Sequence, residues 1–470
     1  MLMPLLASLT IAALGTMLHA EPTHWTPSVQ DPQPKLAAAE QKSLQAKLSK
    51  FMEAQIAYDD PSVVGKAREK AQKTYDQSKE AFLTEWKRQS EKHGDLLKSV
   101  PDLEVIFANG IPYDRKAGLS LRKVDAKDGI PAHWLSVPKS YKAETSIRAL
   151  LLVPGLDEKN EWVDGKKWFD TTWTDKSPLV GDTILHIPVV AKEVELDSMP
   201  DYSKTEAEGQ ERQRIEVLIQ SFGDTQRSYN VDRSKRFLDA GKGATGFAMR
   251  LASHFPDLFS GVILRHPIPV DELRLGSLGG TSFLLLSSAE TAAACSALKE
   301  RLDKVDGASC TILTTTDAYP YLAAAAEIEK WMATPKRVVN RKKIIIEPND
   351  DRFRKAYWVA IEKMVSVHTA PEGMKPRVEI ESDREQNRIK VTCTGVESVI
   401  LSLNDAIVDL DKPVTIVVND KAITEKRGRD FTSMLRRMLQ KYDTQFLFPV
   451  EFRVNVPQPE NKSAATGAGK

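Results

Sequence analysis

The chain has 470 residues, enough for two or three domains with full cores. Lys and Arg number 66 and Asp and Glu 65, so no charge excess argues for nucleic acid or for an acidic partner. Hydrophobic residues make up 41% and charged residues 28%, which excludes a disordered or fibrous chain.

Residues 1–20, MLMPLLASLTIAALGTMLHA, read as a signal peptide ending at Leu18-His19-Ala20, although its start carries no Lys or Arg. The expectation is an exported protein, periplasmic or extracellular. No cysteine lies near the cleavage site, so no lipid anchor is expected, and no later stretch is long enough to span a bilayer. Residues 21–100 read as a helical region behind a Pro-rich lead-in. Leu44, Leu48, Phe51 and Ile56 repeat at helical spacing over 35–58. Asp60-Pro61 is a cap with proline in the first helical position, opening a second helix to His93. Its stripe is Val64, Ala67, Ala71, Tyr75, Phe82 and Trp86, and Gly94 ends it. This charged hairpin either packs on the next domain or forms a partner-binding arm.

Residues 101–336 read as an α/β domain, with 95–130 as a connector into it. Ala149 to Val153 is an apolar strand with Pro154-Gly155 at its end. Trp162, Trp168 and Trp173 follow in a polar loop, where they line a groove or cover the core edge. Thr183 to Val190 is a strand holding His186, read as a hydrogen-bonded core histidine. An acidic loop over 191–210 and a helix over 211–221 come next.

Residues 231–265 hold the densest signal. A short apolar stretch (Phe237, Leu238) runs into Gly241-Lys242-Gly243-Ala244-Thr245-Gly246. A helix with Phe247, Leu251 and His254 on one face follows, and then an apolar run from Gly261 to Leu264. Strand, tight turn, helix, strand is a βαβ unit. The glycines suit a tight turn with close helix packing. The helix N-terminus with Lys242 beside it suits an anion such as a carboxylate. It is not a P-loop, because G-x-x-x-x-G-K-[ST] is absent.

Beyond it, Thr281 to Leu286 is a strand leading to Glu290, Ala293 to Leu302 a helix, and Ser309 to Thr314 a strand. Leu322 to Met332 is the last helix of this part. Cys295 and Cys310 either pair in an exported protein or pack as small apolar residues. With Cys393 the count is odd, and no zinc-ligand spacing occurs.

Residues 337–456 alternate apolar with polar and read as a small β-rich domain. Strands are expected at 343–347, 355–361, 377–381, 388–392, 399–403, 414–418 and 446–456. Asn419-Asp420 is a hairpin turn, and Asp430 to Lys441 a helix with a basic outer face. Residues 457–470 read as a polar disordered tail.

The run from Tyr229-Asn230-Val231-Asp232 to Pro256-Asp257-Leu258-Phe259 resembles the nucleophile elbow of secreted bacterial α/β-hydrolase-fold esterases and prolyl-oligopeptidase-like hydrolases. Val137-Pro138-Lys139-Ser140-Tyr141 resembles the end of their first strand. Asp409-Leu410-Asp411-Lys412-Pro413-Val414 resembles their appended C-terminal β-domain. The resemblance spans roughly 100–456. It implies a mostly parallel α/β-hydrolase-like sheet with flanking helices, preceded by the helical hairpin and followed by the β-rich domain.

It also implies a degenerate site. The nucleophile position falls on Lys242, between Gly241 and Gly243, with Ala240 and Ala244 in place of the outer glycines. The oxyanion loop is Val153-Pro154-Gly155, and Pro154 has no N–H. Asp317 and Ala318 stand where the triad histidine is expected, and Glu290 is the candidate acid. A rescued site would use Lys242 with Asp239 or His266 as base. The expected function is therefore binding or scaffolding by a catalytically inactive member. The ligand is an unidentified small molecule or protein near Lys242, Gly243, Pro154 and Gly155. The alternative is an active ester or peptide hydrolase with a non-standard site. A third reading is an interaction protein working through the hairpin. No cofactor, metal or nucleic acid is expected.

Overall fold

The computed structural model describes residues 33–457, apart from 61, 115, 158, 174–177, 191–195, 199 and 201–206. The expected signal peptide, most of the Pro-rich lead-in, Pro61 and the tail from 458 lie outside the described residues.

Three helices come first: α1 (Ala38–Asp59), α2 (Gly65–His93) and α3 (Val100–Gly110). Helix α2 starts four residues later than the proline expected to open it. The expected connector contains α3, because Pro101 opens a helix whose Leu103, Ile106 and Phe107 are buried against α1. The fully buried residues of α2, Phe82, Glu85, Trp86 and Gln89, all lie in its second half, while Tyr75 and Arg68 in its first half pack on Phe51 and Tyr58 of α1.

The central sheet is built from β1 (Leu119–Val124), β2 (His133–Val137), β3 (Ile147–Val153), β4 (Thr183–Pro188), β5 (Val231–Ala240), β6 (Gly261–Arg265), β7 (Ser282–Ser287) and β8 (Ser309–Thr314). Its order is β1-β2-β4-β3-β5-β6-β7-β8. Strand β2 runs against its neighbours, and from β4 to β8 every pairing is parallel. Helices α4 (Gly165–Thr172), α5 (Pro178–Asp182), α6 (Ala207–Ser228), α7 (Thr245–His254), α8 (Ala292–Leu302) and α9 (Ala325–Met332) connect the strands. Strand side chains alternate between the two faces. Ala149, Leu151 and Val153 therefore join one core with residues of α6, α7 and α8, while Leu150 and Leu152 join another with residues of α4 and α9. Both faces of the sheet are covered, which explains why β3 and β6 read as unbroken apolar runs. This is the expected α/β-hydrolase-like sheet.

Helix α7 differs from the one-sided helix expected. All ten of its residues are buried. Its outer side is covered by α6, through Arg250 to Glu211, and by the loop after β9, through Ser253 to Asn349 and His254 to Phe353.

The C-terminal part contains β9 (Lys343–Ile346), β10 (Lys355–Ala356), β11 (Val359–Met364), β12 (Arg377–Asp383), β13 (Arg388–Thr394), β14 (Val396–Leu403), β15 (Val414–Val418), β16 (Lys421–Glu425), α10 (Phe431–Lys441) and β17 (Val450–Asn455). They form sheets β10-β11-β14-β17 and β16-β15-β13-β12-β9, which share one core. Asn419 and Asp420 take positive φ in the β15–β16 hairpin, as their turn type requires. The single strand expected over 355–361 is instead the β10–β11 hairpin. Its bend at Tyr357 is pinned to the α/β part, since the Tyr357 N–H donates to Asp257 (3.0 Å) and its hydroxyl to the Pro256 carbonyl (3.1 Å). Met434, Leu435 and Met438 of α10 complete the core of the N-terminal helices. Among the described residues no helix is long and apolar enough to cross a membrane.

Candidate functional site

Strand β5 delivers the chain into the turn 241–244, and α7 carries it away. The turn lies against the end of β3 with almost no clearance. A Cβ on Gly241 would fall 2.7 Å from the Gly155 Cα and 2.6 Å from the Trp168 ring, and one on Gly155 would strike the Tyr319 hydroxyl. Only glycine permits this approach.

Three of the backbone donors of this turn, those of Gly241, Lys242 and Ala244, are engaged within the protein. Gly241 N–H donates to the Val153 carbonyl (3.2 Å), Ala244 N–H to the Gly241 carbonyl (3.0 Å) and Leu156 N–H to the Lys242 carbonyl (2.7 Å). The Lys242 N–H donates to the Tyr319 hydroxyl at 2.9 Å. Gly243 has φ +82°, whereas Lys242 is not among the residues with positive φ. The left-handed residue of the turn is thus Gly243, one position beyond Lys242, and as a glycine it adopts that conformation without strain.

Tyr319 stands over the elbow. Its ring centroid lies 6.1 Å from Trp168, 6.1 Å from His266 and 5.7 Å from Tyr321. Burial pushes its phenol well above the usual range. Trp168 and Trp173 are buried, so they cover the core edge and do not line an open groove.

The N-terminus of α7 holds a carboxylate from the chain itself. Asp197 accepts the Phe247 N–H at 3.0 Å, and a Cβ on Gly246 would lie 3.2 Å from the same oxygen. Burial raises the Asp197 carboxyl, and the Phe247, Gly246 and Thr245 N–H groups together with Arg250 oppose that rise. The anion expected at this helix end is therefore supplied internally.

The other expected residues separate into two groups. His266 and Glu290 come together, with Nε2 and Oε1 3.8 Å apart. The His266 Nδ1 lies 3.5 Å from the Tyr321 hydroxyl. Burial pulls the His266 imidazole below its ordinary value, Glu290 pushes it up and Lys242 pushes it down. Glu290 is largely in water, 75% exposed.

Asp239 is in neither place expected of a base. It is buried beneath the turn and held by Arg265, whose Nε and Nη2 donate to it at 2.9–3.1 Å. Burial raises the Asp239 carboxyl and Arg265 opposes that rise. Arg265 also donates to the Pro320 carbonyl at 2.6 Å, which ties the loop bearing Tyr319 to the sheet. Asp317, in the expected histidine place, accepts the Ala323 N–H at 2.8 Å and so caps the turn before α9. Pro154 lies between the two strand ends and donates nothing.

His186 is a hydrogen-bonded core histidine, 2.9 Å from the Thr225 hydroxyl and 3.0 Å from that of Ser221. All three cysteines are free thiols, so Cys295 and Cys310 are not bridged.

Sequence reasoning missed Arg265, Asp197 and the position of Tyr319. Arg265 and Asp239 carried a signal, because each interrupts an apolar run near the end of a parallel strand. Asp197 carried none, since it is one acid in an acidic loop.

No family model and no curated protein matches the sequence. Among solved structures, the chain is similar to a thermostable esterase at 12% identity and TM-score 0.36, over 46% of this chain and 63% of the esterase. It is similar to an S-formylglutathione hydrolase from Staphylococcus aureus at 10% identity and TM-score 0.35, over 47% of this chain and all of the hydrolase. It is also similar to a Bacillus cereus carboxylesterase at 15% identity and TM-score 0.32, over 43% of this chain and 92% of the other. The fold assignment rests on the order and direction of the strands, not on these likenesses.

Proposed function

We propose that this protein is an exported α/β-hydrolase-fold protein without hydrolase activity, which works by binding or scaffolding. The observation that carries this reading is the elbow. The residue that takes the left-handed conformation of a nucleophile elbow is Gly243, which has no side chain to act as nucleophile. Acyl transfer also asks for a base on the nucleophile and for free donors to an oxyanion, and the surroundings of the turn speak against both. The Leu156 N–H, which lies on the loop after β3, is bonded to Lys242. Asp239 is committed to Arg265 and does not serve Lys242 as a base. The Tyr319 hydroxyl takes the Lys242 N–H and lies against Gly155, so it crowds the elbow. Export rests on residues 1–20 alone, and mass spectrometry of the secreted or periplasmic fraction should find a chain starting at Glu21.

The test is hydrolysis of short-chain and medium-chain p-nitrophenyl esters by residues 21–470, beside Lys242→Ala. The expected result is turnover no faster than buffer for both proteins, and no labelling by a fluorophosphonate. A second reading, an active hydrolase with a non-standard site, is favoured by the approach of His266 to Glu290 beside Lys242. Turnover that resists fluorophosphonate and disappears in Lys242→Ala or His266→Ala would establish that reading in place of ours.

A further inference from the structure

The seam between the α/β part and the C-terminal part buries more positive charge than negative. Arg233 and Arg236 on β5 and Arg337 after α9 are all buried. Asp443, also buried, accepts from Arg337 at 2.7 and 3.0 Å and from Arg236 at 3.0 Å. The other nearby carboxylate, Asp257, is taken by the Tyr357 N–H and by the Lys441 ammonium. Its backbone carbonyl accepts from Arg337 (2.7 Å) and Arg236 (3.3 Å). Arg233 reaches no carboxylate among the described residues. Its two terminal nitrogens donate to the Gln226 side-chain oxygen (3.0 Å) and backbone carbonyl (2.5 Å). The same Gln226 oxygen accepts from Arg236 at 2.8 Å, so the three guanidiniums are contiguous.

Of the three buried guanidiniums, two share the Asp443 carboxylate and the third has none. Arginine does not escape such a position by losing its proton within the ordinary pH range, so charge must come from elsewhere. Burial, with Arg337 beside it, pulls Arg236 down to about 9, although Asp443 and Asp257 push it up. A second observation points the same way. The Nε–H groups of Arg233, Arg236 and Arg337 are all buried, and none has an acceptor among the described residues. The terminal nitrogens, which read flat oxoanions two at a time, already have acceptors. What remains are single N–H donors, and these suit a spherical anion better than a phosphate or sulfate.

We propose that the Arg233–Arg236–Arg337 cluster binds a halide ion, chloride under ordinary conditions, at the seam between the two parts. The ion would be a structural ligand that joins β5 to the segment around Asp443. A ligand bound only by the folded state raises the folded-to-unfolded ratio in proportion to its concentration above the dissociation constant. Urea unfolding of the full chain in potassium chloride, with potassium gluconate holding ionic strength constant, should therefore show a ratio rising about tenfold per tenfold rise in chloride.

Arg233→Met should abolish that slope, because Arg233 supplies an unpaired donor and holds no carboxylate. Reading wild type against the variant cancels general salt effects. Equal stability of the wild type in chloride and gluconate would overturn the proposal, and so would an unchanged slope in Arg233→Met. A sulfate response that matches chloride in wild type and is lost in the variant would also overturn it, because the site would then read an oxoanion. Should Arg233→Met fail to fold, bromide-soaked crystals of the wild type decide the matter. An anomalous peak at the cluster, within hydrogen-bonding distance of the Arg233 Nε, is expected, and bromide found only elsewhere refutes the site.

Discussion

Gly241→Ala is the sharpest test of the closed elbow. The new methyl would fall 2.6 Å from Trp168 Cη2, 2.7 Å from Gly155 Cα and 2.8 Å from Gly155 N. Non-bonded carbons rest at about 3.5–4.0 Å, so the encroachment is about 0.8 Å on three sides, and two of the obstructing atoms are backbone. Gly241 is not at positive φ, so the alanine brings no dihedral strain and the clash acts alone. Relief requires the loop after β3 to back away from the turn. That movement stretches the Leu156 N–H bond to Lys242 and the Gly241 N–H bond to Val153. Overpacking costs about 1–3 kcal/mol, and each weakened hydrogen bond about 0.5–1.5 kcal/mol. The stiffer unfolded chain returns about 0.4–1 kcal/mol. The expected loss is about 2–4 kcal/mol, read as a drop in the urea midpoint at unchanged slope. Gly209→Ala, in α6 with nothing within 4 Å of the new methyl, is the control and should stabilise by up to about 1 kcal/mol. A loss for Gly241→Ala below about 0.5 kcal/mol, the range of ordinary surface changes, would refute the close approach.

Arg265→Met leaves Asp239 buried without its partner and should cost about 3–5 kcal/mol, while Arg265→Met with Asp239→Leu should recover most of it; equal losses in both proteins would show that the pair is not coupled. Burial works to raise the Asp443 carboxyl, yet Arg337 and Arg236 hold it well below the usual carboxylate range. Its stability contribution is therefore complete above the unfolded value of about 4 and is lost as pH falls below it. Between pH 6 and pH 3 the urea midpoint should fall more for wild type than for Asp443→Asn. Glu290→Gln removes the group that raises His266, so the imidazole titration followed by NMR should move to lower pH, and an unmoved curve would separate the two residues.

The parallel sheet was legible because its strands are covered on both faces and so read as unbroken apolar runs between turn residues. The β15–β16 hairpin was legible because Asn419-Asp420 suits only a few turn types. The missed elements fail for physical reasons. The bend at Tyr357 is set by Asp257, a hundred residues away, and nothing local announces it. Helix α7 shows an apolar stripe, but its polar residues are buried too, because Glu211 and Asn349 come from elsewhere to meet them. In the site, the glycines of the turn were legible as a close approach. Which of them takes the left-handed conformation was not, because the spacing allows the turn to tighten at 242 or 243. Tyr319 stood in plain view in the Tyr319-Pro320 phrase, but its place over the elbow depends on Arg265 holding the Pro320 carbonyl.

The N-terminal helices share their core with α10, near the other end of the chain. Phe82, Trp86 and Phe107 all pack on Phe431, and Lys98 pairs with Asp411 across 313 positions of sequence. These helices are made long before α10 and wait for it before their apolar face is covered. The central sheet, whose pairings are nearer in sequence, can form in the interval. Contacts this distant slow folding, and the exposed face of α1 to α3 is open to wrong partners until α10 arrives. A nascent chain halted before residue 431 should carry these helices unprotected, and the completed chain should close over them in its final step.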